Sequence, residues 1–200
     1  MSTLHLVPKD LQKLYHVKEW RNAAGVLLTA CPGEWNDIIH VLRTFRLYKS
    51  EIRASGGNRG PVTRRLDGAF YRRHWAEKEF ATAIIVGENR FNSPTHRVDC
   101  VKGSVALEIE WNSKDSVFDR DLNNFRLLFE LRAIDVGVIV TRGTDLAPIF
   151  TRLGKPMNKT TTHLDKLLPK IDGGGGGGCP ILVFAMKPSL YIGKRASKAS

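Results

Sequence analysis

Cysteine is scarce in this chain of 200 residues, which holds only Cys31, Cys100 and Cys179. The three are widely spaced and odd in number. They offer neither the paired CxxC spacing of a zinc site nor the disulfide framework of a small secreted protein. We therefore expect reduced thiols and a cytoplasmic protein.

Long apolar runs are also lacking. No stretch approaches the ~20 apolar residues of a membrane-spanning helix, and residues 1–10 have no apolar core of signal-peptide length. Hydrophobic residues at 42% and charged residues at 26% are ordinary globular proportions. We expect one domain over residues 1–200, with a helical N-terminal appendage over 1–36, a basic tail over 187–200 and no membrane association.

Acidic residues are too few to balance the basic ones, since 20 Asp and Glu stand against 31 Lys and Arg, a net charge of +11. Such an excess favours a polyanionic partner, and nucleic acid is the first candidate. Residues 43–73, here called the basic band, hold nine basic and two acidic residues, a local charge of +7. We expect Arg43, Arg64 and Arg65 in this band to contact DNA.

The acidic residues concentrate in a different segment. Residues 99–121 hold six acidic and three basic residues, a local charge of −3. Carboxylates facing DNA would repel its phosphates. A divalent cation between them turns that repulsion into attraction. The alternative is that these acids form a solvated face.

Hydrophobic periodicity predicts helices over 37–49, 62–78, 121–131 and 162–170, the last beginning with a capping box of Thr162 and Asp165. Strands are predicted over 80–86, 134–141 and 181–186, with two more between 96 and 111 that turn at Lys102 and Gly103. The alternation indicates the α/β or α+β class, with a mixed central β-sheet flanked by helices.

Six consecutive glycines, Gly173 to Gly178, precede a strand rather than open a helix. A phosphate-cradling loop is therefore not supported. We expect either a flexible connector or a loop whose backbone approaches DNA closely.

The most informative pattern is the alternation from Ser104 to Trp111, which places Glu108 and Glu110 on one face of a strand, ~7 Å apart along it. A turn at Lys102 and Gly103 would place Asp99 on that face, diagonal to Glu108. Three clustered carboxylates destabilise a sheet unless a cation neutralises them, and their hard oxygens suit Mg²⁺. The alternative is solvation at a sheet edge.

These residues carry a resemblance. The segment VDCVKGSVALEIEWNSKD, residues 98–115, resembles the active-site hairpin of the PD-(D/E)xK nuclease superfamily. In detail it resembles the type II restriction endonucleases of the BglII and BstYI group, with BamHI more distant. AIDVGVIVTR (133–142) and THLDKLLPKIDGGGGGGCPILVFAM (162–186) resemble later core elements of that group.

The resemblance implies that Asp99 and Glu108 bind Mg²⁺, joined by the backbone carbonyl of Ile109. Glu110 falls where the superfamily usually has Lys and where BglII and BstYI have Gln, so Glu110 resembles BamHI. We expect Glu110 to orient or to deprotonate the attacking water.

Further DNA contacts are expected around this centre. Lys114 would contact phosphate, with a solvated lysine as the alternative. Arg120, Asn123 and Asn124 would read base edges, although an N-cap at Asp119 or Asp121 explains this segment as well. Thr162 and His163 form a second reading loop, with capping or packing as the alternative for His163.

The resemblance implies a Mg²⁺-dependent endonuclease that cuts double-stranded DNA at a short palindrome, with GATC at its centre in the relatives. Palindromic sites call for a homodimer, and a host must protect its own sites, so a DNA methyltransferase is expected to be encoded nearby. Two alternatives stay open: a non-catalytic DNA-binding regulator, which leaves the acids without purpose, and a repair or nicking nuclease on the same core.

Overall fold

The computed structural model describes residues 2–54, 59–92 and 95–193. In chain order the first half contains α1 (Lys9–Leu14), β1 (Tyr15–Trp20), α2 (Ala23–Ala30), α3 (Pro32–Thr44), α4 (Lys49–Arg53), α5 (Pro61–Tyr71), β2 (Ala76–Lys78), β3 (Ala83–Val86) and β4 (Asn89–Asn92). The second half contains β5 (Val98–Lys102), β6 (Val105–Ile109), α6 (Val117–Glu130), β7 (Val136–Arg142), α7 (Ala147–Arg152), α8 (Leu164–Asp172) and β8 (Ile181–Met186).

The main sheet has the strand order β1-β8-β7-β6-β5-β2. Strands β6, β7 and β8 are parallel, whereas β5 and β2 on one side and β1 on the other run antiparallel to their neighbours. Helices cover both faces, so the predicted mixed sheet flanked by helices is confirmed.

The two-residue period of β6 divides the core. Val105, Leu107 and Ile109 belong to the cluster built with α1 to α5. Ala106 belongs to the opposite cluster, built with α6 and α8. Both clusters consist of buried side chains, so the β6 backbone runs through the centre of the molecule and holds its side chains in fixed directions.

Two predicted helices have different bounds in the structure. The helix predicted over 37–49 starts at Pro32 and ends at Thr44, because the chain then extends so that the Leu47 N–H can donate to the Leu190 carbonyl at 2.8 Å. The helix predicted over 62–78 ends at Tyr71. His74 has a φ of 65°, and the following residues pair with β5 as a strand.

The strand predicted over 80–86 is shorter and lies outside the main sheet. Residues 83–86 pair only with β4, as a separate two-stranded hairpin. Ile85, Val86 and Phe91 of this hairpin are exposed. Ile85, Val86 and Phe91 therefore do not contribute to the central core.

The expectation of a helical N-terminal appendage is wrong. Strand β1 pairs along its whole length with β8 at the edge of the main sheet. Leu11, Tyr15 and Leu27 are fully buried in the first core cluster. Of the expected basic tail, residues 194–200 lie outside the described part of the chain, and Leu190 within it is buried.

The glycine run is part of the packed structure rather than a flexible connector. A Cβ atom on Gly175 would lie 2.8 Å from the Lys170 carbonyl oxygen, and one on Gly177, where φ is +57°, would lie 2.7 Å from Cγ of Arg126 on α6. The Gly177 carbonyl accepts hydrogen bonds from the Trp20 and Arg21 side chains. The close backbone approach is thus to the protein itself.

The predicted capping box at the start of α8 does not form. His163 is the N-cap residue and makes no side-chain capping hydrogen bond in the described structure. Thr162 is buried, and its N–H donates to the Ser113 carbonyl at 2.9 Å. Separately, no helix among the described residues is long and apolar enough to cross a membrane.

Candidate active site

The β5–β6 hairpin forms as predicted, but with a different register. Lys102 pairs with Val105 and Val101 with Ala106, so Gly103 and Ser104 occupy the turn. Gly103 has a φ of +53°, and glycine at the first turn position suits a tight hairpin loop. The predicted turn at Lys102 and Gly103 was wrong by one position at each end.

The shifted register brings Asp99 closer to Glu108 than predicted. The Asp99 backbone N–H donates to Oε2 of Glu108 at 3.2 Å. In return, Oδ2 of Asp99 accepts the Ile109 backbone N–H at 3.1 Å. The three residues expected to bind metal are therefore linked by hydrogen bonds across two strands.

Glu108 and Glu110 are buried beside this pair, at 1% and 4% exposure. Burial raises the pKa of Glu108 well above its ordinary value, and the nearby Asp121 and Asp99 raise it further. Burial and Asp121 raise the pKa of Glu110 to about 8. Oε1 of Glu108 and Oε2 of Glu110 have no hydrogen-bond partner within the described residues.

A fourth acid, Asp121, belongs to the same cluster and was predicted only as a possible N-cap. It is fully buried, and burial raises its pKa to about 6 despite the attraction of Arg120. Arg120 donates to Oδ1 of Asp121 at 2.9 and 3.1 Å and lies 3.6 Å from Oε1 of Glu110. Arg120 thus partly neutralises the buried acids.

Sequence reasoning missed a second group at the site. The guanidinium of Arg59 contacts three carboxylates, those of Asp67 on α5, Glu77 on β2 and Asp99 on β5. Asp67 is buried, which raises its pKa to about 7, with the charge of Asp99 adding to the shift. No local pattern signals this group, because its members come from distant segments.

Both groups border a cleft of about 410 Å³. Asp99 and Glu110 line this cleft together with Arg59 and Thr63. Ser113, just past β6, also lines it. The cleft therefore gives solvent and substrate access to the acidic face.

The donor set suits a hard divalent cation, because Oε1 of Glu108 has no partner among the described residues while the other oxygen of Glu108 is bonded to Asp99. Among the residues that the structure describes, however, no three or more His, Cys, Asp or Glu side chains are grouped as a ready-made metal cage. Mg²⁺ is usually bound by one or two carboxylates and completes its shell with water and substrate phosphate. The residues present fit that mode of binding.

The three arginines of the basic band that were expected to bind DNA differ in exposure and in their ion pairs. Arg64 on α5 is exposed. Arg65 is half-buried: its Nε lies 2.8 Å from Oε1 of Glu51, and its guanidinium stacks on Phe45. Arg43 is exposed and forms an ion pair with Asp10 at 2.6 Å.

The two segments expected to read or contact DNA past β6 and before α8 lie together. Lys114 forms a β-bridge with Thr161, which places exposed Lys114 next to Thr162 and His163. The buried Arg142 supports this platform by donating to the Thr162 carbonyl at 2.7 Å and to the Thr161 hydroxyl.

The residues expected to read bases on α6 divide in two. Arg120 and Asn123 are exposed, and Asn123 accepts a hydrogen bond from Arg126 at 3.0 Å. Asn124 is buried, and its amide donates to the His96 carbonyl at 3.3 Å. Asn124 therefore holds the segment before β5 rather than facing the cleft.

Comparison with known proteins bears on this site. The family model Endonuc-BglII, described as restriction endonuclease BglII/BglIII, matches residues 15–186. That match covers both strands of the active-site hairpin and the strands β7 and β8. No curated protein matches the chain.

Proposed function

The chain belongs to the restriction endonuclease BglII/BglIII family and is a site-specific deoxyribonuclease of type II, and on that premise we propose how it cuts DNA. Restriction endonucleases generally use a divalent metal ion. We propose that the ion is Mg²⁺, that Asp99, Glu108 and the Ile109 carbonyl hold it, and that Glu110 acts on the water.

One observation carries this proposal: the reciprocal hydrogen bonds between Asp99 and the segment Glu108 to Ile109. They hold the two carboxylates against each other although both are acidic and Glu108 is buried. Like charges held this closely are costly unless a cation or a proton neutralises them. In a metal-dependent site this arrangement serves to bind the cation, whereas a non-catalytic DNA-binding regulator has no use for it.

Phosphodiester hydrolysis needs a deprotonated water and neutralisation of the charge on the phosphate, and a bound Mg²⁺ supplies both. Asp99 and Glu108 would hold the ion, and the hairpin fixes the position of both carboxylates. Glu110, buried at the edge of the cleft, would accept a hydrogen bond from the water and orient it for attack. Lys114 would contact a phosphate beside the scissile one.

For recognition, we propose a short palindromic site read by a homodimer, with GATC at its centre carried over from the BglII and BstYI resemblance. The exposed Arg64, Arg120 and Asn123, together with the platform that contains Lys114 and His163, would supply the DNA contacts. A host of this enzyme would need a cognate DNA methyltransferase.

The experiment is incubation of the pure protein with phage DNA and Mg²⁺, with EDTA and Ca²⁺ as parallel conditions. We expect discrete fragments in Mg²⁺ alone, and sequencing of the fragment ends would give the site. Nicks or a smear would indicate a nicking nuclease, and binding without cleavage would indicate a regulator. Sedimentation of the DNA complex should show two chains per site, and one chain would contradict the palindrome.

A further inference from the structure

Arg59 belongs to the basic band and lies against the acidic face. It reaches carboxylates on three different elements: Nη2 contacts Glu77 and lies 3.4 Å from Oδ1 of Asp99, and Nε lies 3.5 Å from Oδ2 of Asp67. Its side chain is 39% exposed and lines the cleft. It can therefore move into the cleft without disturbing the core.

The two oxygens of Asp99 have different surroundings. Oδ2 accepts the Ile109 N–H, which fixes the carboxylate on the hairpin. Oδ1 faces Arg59. Because Oδ2 is already engaged by the hairpin, a cation that binds Asp99 through Oδ1 approaches where the guanidinium already lies.

We propose that Arg59 is a displaceable counter-cation of Asp99, which competes with the divalent metal ion for this carboxylate. The proposal rests on the proposed role of Asp99 as a metal ligand. Two cations on one carboxylate oxygen repel each other, so Arg59 weakens metal binding in the DNA-free protein. Glu77 and Asp67 keep the guanidinium at the cleft wall when the metal displaces it.

This competition between Arg59 and the metal ion would suit an enzyme that must not cut DNA at random. A phosphate entering the cleft attracts the Arg59 guanidinium and adds an oxygen ligand for the metal. Both effects favour metal binding only after DNA has arrived. Arg59 is thus a positioning residue that acts through Asp99.

The test is a Mn²⁺ titration of the DNA-free protein, followed by the electron paramagnetic resonance signal of the free ion. Mn²⁺ suits carboxylate and water ligands and reports binding without any reaction. We expect Arg59→Gln to bind Mn²⁺ at least about tenfold more tightly than wild type. A neighbouring arginine typically changes the affinity of a carboxylate for a proton by about 10- to 1,000-fold, and we expect a change in the same direction for the metal ion. Arg59→Lys, which keeps the charge, should remain close to wild type.

Arg72→Gln is the matched control, because Arg72 is an exposed arginine at the other end of α5. It should leave Mn²⁺ affinity unchanged. Equal affinities for wild type and Arg59→Gln, including no measurable binding by either, would overturn the proposal. Tighter binding by Arg59→Lys to the same extent as Arg59→Gln would also overturn it, because charge would then not be the cause.

A second variant separates this proposal from the function on which it rests. If Asp99→Asn abolishes Mn²⁺ binding while Arg59→Gln leaves it unchanged, Asp99 is a ligand and only the counter-cation role fails. If Asp99→Asn binds Mn²⁺ as wild type does, the proposed metal site itself fails. Melting curves give an independent readout, since Mn²⁺ should raise the melting temperature of Arg59→Gln more than that of wild type.

Discussion

At the scale of single residues, the active centre depends on carboxylates that are buried before they are used. Glu108, Glu110 and Asp121 are each at most 4% exposed, and Arg120 is the cation that contacts two of them. Burial raises the pKa of each of them, so a bound cation would favour their ionised forms. Because electrostatic interactions are stronger away from water, the charge state of each acid also depends strongly on whether a cation is bound beside it.

The role of Glu110 can be separated from metal binding. Glu110→Gln keeps the shape and the ability to orient a water but cannot accept a proton. If Glu110 is the base, single-turnover cleavage should fall by about 10² to 10⁴. We expect Mn²⁺ affinity to change less than in Asp99→Asn. Retained cleavage would contradict the general-base role and leave only orientation of the water.

Neighbouring arginines of the basic band should behave differently. Arg64 is exposed, whereas Arg65 is held by Glu51. Arg64→Ala should lower the slope of log affinity against log salt by ~0.9, the value for one lost phosphate contact. Arg65→Ala should leave the slope unchanged and lower the melting temperature. DNA affinity across a salt series tests this, and an unchanged slope in Arg64→Ala would place the DNA surface elsewhere.

The sequence predicted the acidic face because its signal is local. Glu108 and Glu110 are separated by one residue on a strand with strict alternation, so their shared face follows from the two-residue period. Arg59 and Asp67 could not be found in this way, because they lie 40 and 32 positions before Asp99 in the chain. Asp121 was noticed, but its burial depends on how α6 packs against the sheet.

At the scale of elements, the glycine run shows how composition misled. Six glycines indicate flexibility by composition alone, yet their small size is what allows the chain to pass between α8 and α6. The absence of a Cβ is used for packing, as with Gly175 and the Lys170 carbonyl. This packing depends on how α8 and α6 are placed around the loop, so the sequence alone could not show that the glycine run is packed.

This packing makes a quantitative prediction. Gly175→Ala should lower the free energy of unfolding by ~1–3 kcal/mol, the usual cost of overpacking, because its Cβ would lie 2.8 Å from a backbone oxygen. Gly33→Ala on α3 is the control, since nothing lies within 4 Å of its Cβ and alanine favours a helix by up to about 1 kcal/mol. Urea denaturation should show opposite signs, and equal effects would contradict the packed loop.

Element boundaries were predicted less well than element types. The register of the β5–β6 hairpin depended on which two residues form the turn, and Gly103 was placed second rather than first. The strand β2 was predicted as helix because residues 76–78 carry no alternation that is distinguishable from the end of α5. In each case, a tertiary partner, β6 or β5, decides the conformation.

Asp37 links three elements and predicts a pH effect on stability. Burial alone would raise the pKa of Asp37, but hydrogen bonds from Lys102, Arg73 and Trp75 outweigh burial and lower it. A carboxylate with a lowered pKa adds stability above its unfolded pKa of ~3.9 and loses that contribution as the pH falls through its folded value.

Asp37→Asn should therefore unfold at lower denaturant concentration than wild type at pH 7, and the difference should shrink as the pH falls below ~4. Asp10→Asn, in an exposed pair with Arg43, should have a much smaller effect. Urea midpoints across the pH range test this, and a difference that does not depend on pH would contradict it.

At the scale of the whole molecule, charge is separated rather than mixed. Glu51, Arg59 and Thr63 of the basic band line the same cleft as Asp99 and Glu110, and Arg59 pairs with Asp99 there. A net charge of +11 attracts DNA to the surface, while the acidic face would need a cation to hold a phosphate against ionised carboxylates. Binding and cleavage should therefore be separable in this protein.

The most direct measurement compares binding and cleavage in Asp99→Asn, using the DNA site that fragment sequencing identifies. The control is Asp119→Asn, which changes an exposed acid on α6 that pairs with Lys170. We predict that Asp99→Asn binds this site in Ca²⁺ as well as wild type does, but loses cleavage in Mg²⁺, whereas Asp119→Asn retains both. Full cleavage by Asp99→Asn would contradict the proposed active centre.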